Sequence, residues 1–426
     1  MNLYNIVKEI FPIYRSITGN GVEQTLEILK KYCSELEIKR VKSGTRVFDW
    51  VVPREWNITA AYIEDEDNNR IIDFLDNNLH IVGYSAPLDI WVEGKDLKNY
   101  IFYEEKQPDC IPYITSYYRE MSGFCMSKNM YDALDLTKRY HLVIDSEYDE
   151  EGNLTYGEIF LPGKTKKEVL ITSYVCHPSM ANNECSGPAV VIGLADQVSK
   201  MKNRKYSYRF VLAPETIGAI TFISQNLENL KNNVVAGYIL TCVGDNKEYS
   251  IVKSRYGNNI SERILENILK NEKEHYKAYS YMERGSDERQ YCSPLVNLPM
   301  CTFCRTKFFE YPEYHTSADD LDFVSEEGLQ GAYDVIMSCI DILESNKKYI
   351  ATTYCEPQLG KRNLYPTLSR KGTKVMADSE ELLDVFSYSD GKNDLISISE
   401  ITGISIVKVA KIVELLKNNE LLEEIV

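Results

Sequence analysis

The chain has no uninterrupted apolar stretch approaching the ~18 residues that a membrane-crossing helix needs, so the sequence predicts no membrane span. Its opening, from Met1 to Arg15, mixes charged and apolar residues at helical spacing and lacks the apolar segment and small-residue cleavage site of a secretion signal. Basic charge is also scarce. Against 64 Asp and Glu stand 48 Lys and Arg, and a formal charge of −16 repels phosphate backbones and anionic surfaces. Neither nucleic acid nor membrane is therefore an expected partner. The 11 cysteines are odd in number and lack framework spacing, which excludes a disulfide scaffold and suits a reducing, cytoplasmic location. With 22 Gly and 14 Pro scattered over 426 residues, collagen and low-complexity architectures are excluded. What remains is a large globular chain, long enough for two or three domains at ~150 residues each.

Residues 1–43 read as helical, because Leu3, Ile6, Val7, Ile10 and Phe11, then Leu26, Leu29 and Tyr32, recur at three- and four-residue spacing. From Gly44 to about Pro162 the texture changes to short β-prone runs such as Val47–Val52, Leu79–Val82 and Leu88–Val92, which predict a separate β-rich module. Beyond it, strand-like Val169–Tyr174, a helical run from Pro188 to Val198, strand-like Arg209–Ala213, a helix through Ile217–Leu227 and strand-like Val234–Leu240 alternate. That order predicts a mostly parallel sheet flanked by helices, with ligands gathered beyond the strands' carboxyl ends. In the last ~70 residues, a helix capped by Asp378 or Ser379, a capping box of Ser397 with Glu400, and a turn at Gly403-Ile404-Ser405 before a further helix suggest a winged helix. DNA binding by that module is disfavoured, since residues 378–426 carry eleven acids and four Lys. Docking against other parts of the chain or a protein partner is the better expectation.

Only five histidines occur, and two fall in polar loops rich in acids. His177 follows the first strand in Cys176-His177-Pro178-Ser179-Met180-Ala181-Asn182-Asn183-Glu184-Cys185, and His315 lies in Glu310–Asp320. Imidazole with carboxylate is a donor set that zinc accepts in open catalytic sites. Glu215, at the junction of the second strand and its helix, is placed to move a proton between metal-bound water and a leaving amine. Cys176 and Cys185 flank the first loop as alternative soft ligands. Arg284 and Arg289 lie near Asp287 and offer forked hydrogen bonds to a substrate carboxylate. Cys301-Thr302-Phe303-Cys304 has redox spacing but sits in a strand-like run and reads as core.

These stretches, together with Phe48–Pro53, Leu240–Asp245, Gly285–Pro294 and Glu356–Arg362, resemble the zinc aminopeptidase and glutamate carboxypeptidase-like fold. The similarity is closer still to aminopeptidase-like proteins associated with polysaccharide biosynthesis, and it covers almost the whole chain. The resemblance implies an α/β fold: a zinc-peptidase-like catalytic domain (1–43 and 163–350), a β-rich inserted domain (44–162) and a C-terminal winged-helix module (351–426). In that fold two zinc ions are held by a His, a bridging Asp, a Glu, a second Asp and a final His, with another Glu as base. Carried over by position, His177 matches the first His and His315 the last, and Glu215 falls in the paired-glutamate motif. The bridging Asp falls at Asn183, with Glu184 as an alternative beside it, and the second Asp falls at Thr241, with Asp245 four residues on. Two missing carboxylates imply one zinc rather than two. Whether Glu215 is base or ligand stays open; were it a ligand, Asp287 or Asp245 would be the candidate base. The expected function is a metal-dependent, aminopeptidase-like hydrolase of an amide in a small peptide or amino sugar. Its site would comprise His177, Asn183, Glu184 and His315 at the metal, Glu215 in catalysis, and Asp287 and Arg284 at the substrate; self-association is left open. The alternative is a noncatalytic peptidase-fold scaffold that docks partners through the insert and the winged helix.

Overall fold

Val169, Leu170 and Ile171 are β-prone and apolar without alternation, the pattern of a strand covered on both faces. Strand Glu168–Tyr174 is accordingly buried at every position. The computed structural model describes residues 1–364 and 374–425. In it this strand lies inside an eight-stranded mixed sheet. The strands run, in spatial order, Glu37–Lys42, Asn153–Leu161, Ser207–Ala213, Glu168–Tyr174, Val234–Leu240, Met300–Cys304, Ser250–Val252 and Lys277–Tyr279. The four strands from Ser207–Ala213 to Met300–Cys304 are mutually parallel, as expected, and antiparallel pairings flank them.

The helix Ser186–Ser199 carries the chain from Glu168–Tyr174 to its neighbour on one side, and Ile217–Asn233 carries it back past that strand to the other side. Right-handed crossovers in opposite directions place the two helices on opposite faces of the sheet. The helices Leu3–Ile10 and Asn20–Tyr32 bury Leu3, Ile6, Val7, Ile10, Leu26 and Leu29 as read from the sequence, while Phe11, which caps the first helix, and Tyr32 are only half-buried. The helical reading of 1–43 fails at its end, because Glu37–Lys42 is an edge strand paired with Asn153–Leu161. Its Lys and Glu positions face solvent, the charged dressing that protects an exposed edge.

Between those two paired strands the chain makes an excursion. Its core is a four-stranded antiparallel sheet ordered Arg70–Asp73, Glu55–Asp65, Arg139–Asp149 and Leu88–Glu93, packed around Ala61, Ile63, Phe74, Leu142 and Ile144. The strand Asn153–Leu161, which composition grouped with the β-rich stretch 44–162, belongs instead to the large sheet. Cys301 and Cys304 are buried in strand Met300–Cys304, as read.

Contacts divide the chain into two units, residues 1–259 with 277–333 and residues 260–276 with 334–426. The second unit has a three-stranded antiparallel sheet of Asp390–Asp394, Lys348–Ala351 and Leu422–Glu424. Its core gathers Val385, Leu395, Ile398, Val409, Val413 and Leu416. Helix Lys374–Tyr388 starts upstream of both proposed caps, Asp378 and Ser379. Asp394, not Ser397, caps Leu395–Thr402, its carboxylate accepting the Ser397 N–H at 2.9 Å. Gly403, with φ of 73°, ends that helix and Ser405 caps Ile406–Asn418, as the turn predicted. This unit also takes in helix Ile260–Glu272, which the sequence grouped with the peptidase-like part.

Candidate metal and active site

Each of the four parallel strands ends in a loop that carries a non-glycine residue at positive φ: Ser179 and Met180 (both 53°), Thr216 (62°), Cys242 (52°) and His315 (58°). Such backbone costs ~1–3 kcal/mol per residue and persists where surroundings hold it. The loops bearing His177 and Glu215 follow adjacent strands whose helices lie on opposite faces, which is where an open α/β sheet forms its ligand crevice.

His177 is buried between two carboxylates. Its Nδ1 lies 2.7 Å from Glu184 Oε2, and its Nε2 faces Glu215 Oε2 at 3.7 Å, beyond hydrogen-bond range. Burial pulls the imidazole pKa down, but Glu184 and Glu215 outweigh it and the net direction is up. The other Glu184 oxygen accepts the Cys176 N–H, so both of its oxygens are engaged. Cys176, His177 and Glu184 form a group of potential ligand atoms within 4.8 Å of one another. Burial drives the Cys176 thiol well up, and its sulfur accepts the Glu215 N–H at 3.3 Å. Burial also raises Glu215, against the pull of His177 and of Arg289, whose Nη2 is 3.6 Å from Oε1.

Beneath the histidine the polar chain is fully knitted except at one atom. Asn182 Oδ1 accepts the N–H groups of Gly244 and Asp245 at 2.7 and 3.0 Å. Asp319 accepts those of Asn182 and Asn183 at 2.6 and 3.0 Å, and burial lifts its pKa to about 7. Asn183 Nδ2 donates to Tyr174 Oη at 2.6 Å, and that hydroxyl also meets Thr241. Asn183 Oδ1 is buried without a hydrogen-bond partner among the described residues. The His315 ring lies 5.5 Å from that of His177, with Tyr113 packed against both at 4.8 and 5.1 Å. Burial and His177 hold the His315 imidazole well below its usual pKa, and therefore neutral.

The crevice brings together His177, Glu184, Glu215 and His315, with Asn183 joined to them through Tyr174, whose ring lies 5.7 Å from that of His177. Glu184 sits behind the imidazole, on Nδ1, rather than beside Nε2. Asp245 is consumed by Thr306, Lys247 and Asn182, and Asp287 accepts the N–H of strained Thr216 at 2.8 Å. Arg284 is not drawn in. It is exposed, lies over the Tyr281 ring and donates to the Tyr281 carbonyl, while Arg289 takes the place facing Glu215. Sequence reasoning missed Tyr113, Tyr174 and Arg15. The last is buried and donates to the carbonyls of Ile10, His177 (3.0 Å) and Ser179 (3.2 Å). An arginine set between apolar Ile10–Tyr14 and the turn-forming run Ser16–Gly21 was the available signal.

The fold and this crevice define an aminopeptidase-like protein. The structure of the zinc aminopeptidase BSAP from Bacillus subtilis superposes with a TM-score of 0.59 over 80% of this chain and 93% of that one, at 12% identity, which speaks to fold alone. Residues 4–346 match the profile described as domain of unknown function DUF4910, and the chain belongs to that family. A winged helix-turn-helix profile matches 347–424. A Clostridium acetobutylicum protein, named as a candidate polysaccharide biosynthesis protein with aminopeptidase-like domain, is 41% identical over 99% of this chain and 96% of its own. A crystal structure of a candidate peptidase from the same organism gives a TM-score of 0.91 at 40% identity, covering 99% and 96% of the two chains.

Proposed function

We propose that this chain is a zinc-dependent amide hydrolase acting on a small peptide or amino-sugar substrate in polysaccharide biosynthesis, the setting named for its Clostridium relative. The observation that carries the reading is the pair of imidazoles, His177 and His315, with ring centroids 5.5 Å apart, the first facing Glu215 at 3.7 Å; the buried Asn183 Oδ1, unpartnered among the described residues, lies on the His177 loop. His177 through Nε2, His315 and Asn183 Oδ1 would hold one ion, three protein donors with a fourth position open as in catalytic zinc sites. Zinc there supplies a Lewis acid for the amide carbonyl and lowers the pKa of bound water toward ~7. Asn183 and Thr241 are neutral where carboxylates would be needed, leaving too little negative charge for a second dication ~3.5–4 Å away.

The chain's own groups do the rest. Glu184 keeps the His177 proton on Nδ1 and frees Nε2, the outer-carboxylate arrangement that orients a ligating histidine. Glu215, raised by burial, takes a proton from water and returns it to the leaving amine, while Arg289 fixes its carboxylate. Tyr113 roofs the two histidines and keeps bulk water out.

Elemental analysis tests this. About one zinc per chain in the parent and none in His177→Ala/His315→Ala is expected. Glu215→Gln should keep the metal and lose ~10²–10⁴-fold in turnover of aminoacyl or amino-sugar amides. No metal after incubation with zinc would sink the hydrolase. The second reading, a noncatalytic scaffold, is favoured by the neutral Asn183 and Thr241; bound zinc without turnover of any such amide would leave it standing.

A further inference from the structure

One motif singled out in the sequence, Phe48–Pro53, has no part in the chemistry above. It forms a tight hairpin of Arg46–Val47 and Trp50–Val51, turning through Phe48 at φ 58° with the Arg46 Nε donating to the Phe48 carbonyl at 3.1 Å. The hairpin holds Phe48, Trp50 and Val51 out to solvent, 46%, 37% and 56% exposed. Across from it Tyr118, 63% exposed, sets its ring edge-on to Trp50 with centroids 5.4 Å apart. A cavity of about 480 Å³ opens here, lined by Val51, Arg54, Tyr84, Tyr117, Tyr118 and Tyr148 among others. That volume is in the ~300–1,000 Å³ range of small-molecule sites.

Polar groups converge on the same space without being consumed. Arg54 stacks on the Tyr148 ring at 4.1 Å and stands 3.5 Å from Glu150 and 3.9 Å from Glu120, both long ion pairs with largely exposed carboxylates. Arg119 also lines the cavity, so two cations meet two anions and the wall has no net charge. A phosphate or a polycation gains nothing there. An apolar peptide side chain would strip water from Arg54, Glu120 and Glu150 and offer no hydrogen bond in return. A pyranose satisfies both halves: its C–H face, slightly positive, lies on the negative π face of an aromatic ring, and its hydroxyls donate to the carboxylates and accept from the guanidinium.

The groove also communicates with the candidate centre. The Tyr117 hydroxyl lies 2.6 Å from that of Tyr113, whose ring packs on both His177 and His315. We infer that the groove between the Trp50 hairpin and Tyr118 is a sugar-binding subsite that seats a neutral pyranose unit of the substrate next to the His177–Glu215 crevice. The seating of a sugar stands on the groove alone; its delivery of an amide to Glu215 rests on the hydrolase reading.

The test is saturation-transfer NMR on the full chain with N-acetylglucosamine, N-acetylgalactosamine and glucose, and with the dipeptide alanyl-leucine for comparison. Parent, Trp50→Ala, Tyr118→Ala and Trp50→Phe proteins are compared, with circular dichroism checking the fold. Saturable transfer to a sugar's ring protons in the parent and in Trp50→Phe, weakened at least ~tenfold (1.4 kcal/mol) in both alanine variants, is expected. No transfer to any of the three sugars, equal binding by all four proteins, or binding of the dipeptide alone would overturn the subsite. So would self-association of the parent that Trp50→Ala abolishes, since the hairpin would then be a contact between copies. Because binding is read without turnover, a sugar-binding protein that cleaves no amide refutes the hydrolase and leaves the subsite intact; the converse result refutes only the subsite.

Discussion

Arg15 is a cation buried among carbonyl oxygens, a demanding position for an arginine, and it ties the end of the first helix to the loop that carries His177. Replacing it with Met removes a donor from three carbonyls and leaves that of His177 with none, at a cost of ~1–3 kcal/mol, because Ile10 still accepts the Ile13 N–H at 3.2 Å and Ser179 the Cys185 thiol at 3.6 Å. Arg15→Met should therefore lower stability by ~1–3 kcal/mol in urea unfolding and reduce zinc retention; a loss under ~1 kcal/mol would contradict the account. His141 makes a different prediction. It is held between Glu64 at 3.0 Å and Asp89 at 2.7 Å and stacks on Trp91. Burial pulls its pKa down, but hydrogen bonds to Asp89 and Glu64 carry it above its usual value. A raised folded-state pKa means the contribution is full below the unfolded value of ~6.5 and disappears as pH rises through the folded one. An NMR titration of His141 should show a midpoint above ~6.5, with the stability of this sheet falling across that interval in the parent and not in His141→Gln.

At the scale of elements, helix Ser186–Ser199 approaches the sheet closely enough that a methyl on Gly187 would stand 2.1 Å from Ser173 Oγ and 2.8 Å from the Leu240 carbonyl. Gly187→Ala should cost ~1–3 kcal/mol in a denaturant midpoint. Gly360→Ala, where a methyl meets nothing within 4 Å among the described residues, should change it by no more than ~0.5 kcal/mol. The parallel strands and their helices were legible because burial on both faces forces long apolar runs; His177 and Glu215 were legible because each closely follows such a strand, and His315, well beyond Cys304, because its loop is crowded with acids. Other features depend on contacts that spacing does not encode. Glu37–Lys42 is strand only because Asn153–Leu161 arrives beside it. Arg284 and Arg289 look interchangeable in sequence, yet the short helix Glu288–Tyr291 turns only the second toward Glu215. Tyr113 reaches the histidines from the far side of the excursion, with its N–H on the His315 carbonyl at 2.9 Å.

For the molecule as a whole, the boundary between the profiles at residue 346 is not where contacts divide. Helix Ile260–Glu272 belongs with the winged helix: Arg263 forks onto Glu400 at 2.7 and 2.6 Å, and Asn267 Oδ1 accepts the Ile406 N–H at 2.9 Å. A chain cut after residue 346 takes Glu400, Ser405 and Ile406 away from that helix and should melt lower and aggregate in size-exclusion chromatography, while the full chain stays monodisperse. The same contacts bear on DNA. Ser405 donates to Glu272 at 2.8 Å, so the amino end of Ile406–Asn418, the part that reads base edges in helix-turn-helix proteins, is already occupied. With the acidity of residues 378–426, this predicts no retention on duplex DNA even at low salt; salt-dependent retention would refute it. Finally, Lys42 stands opposite Asn153, so residues 43–152 leave the large sheet and rejoin it at one hairpin mouth. Closing so long a loop costs little more entropy than closing a shorter one. The excursion is thus a replaceable cassette: its aromatic wall can be exchanged while the eight strands that carry the His177–Glu215 crevice keep their register.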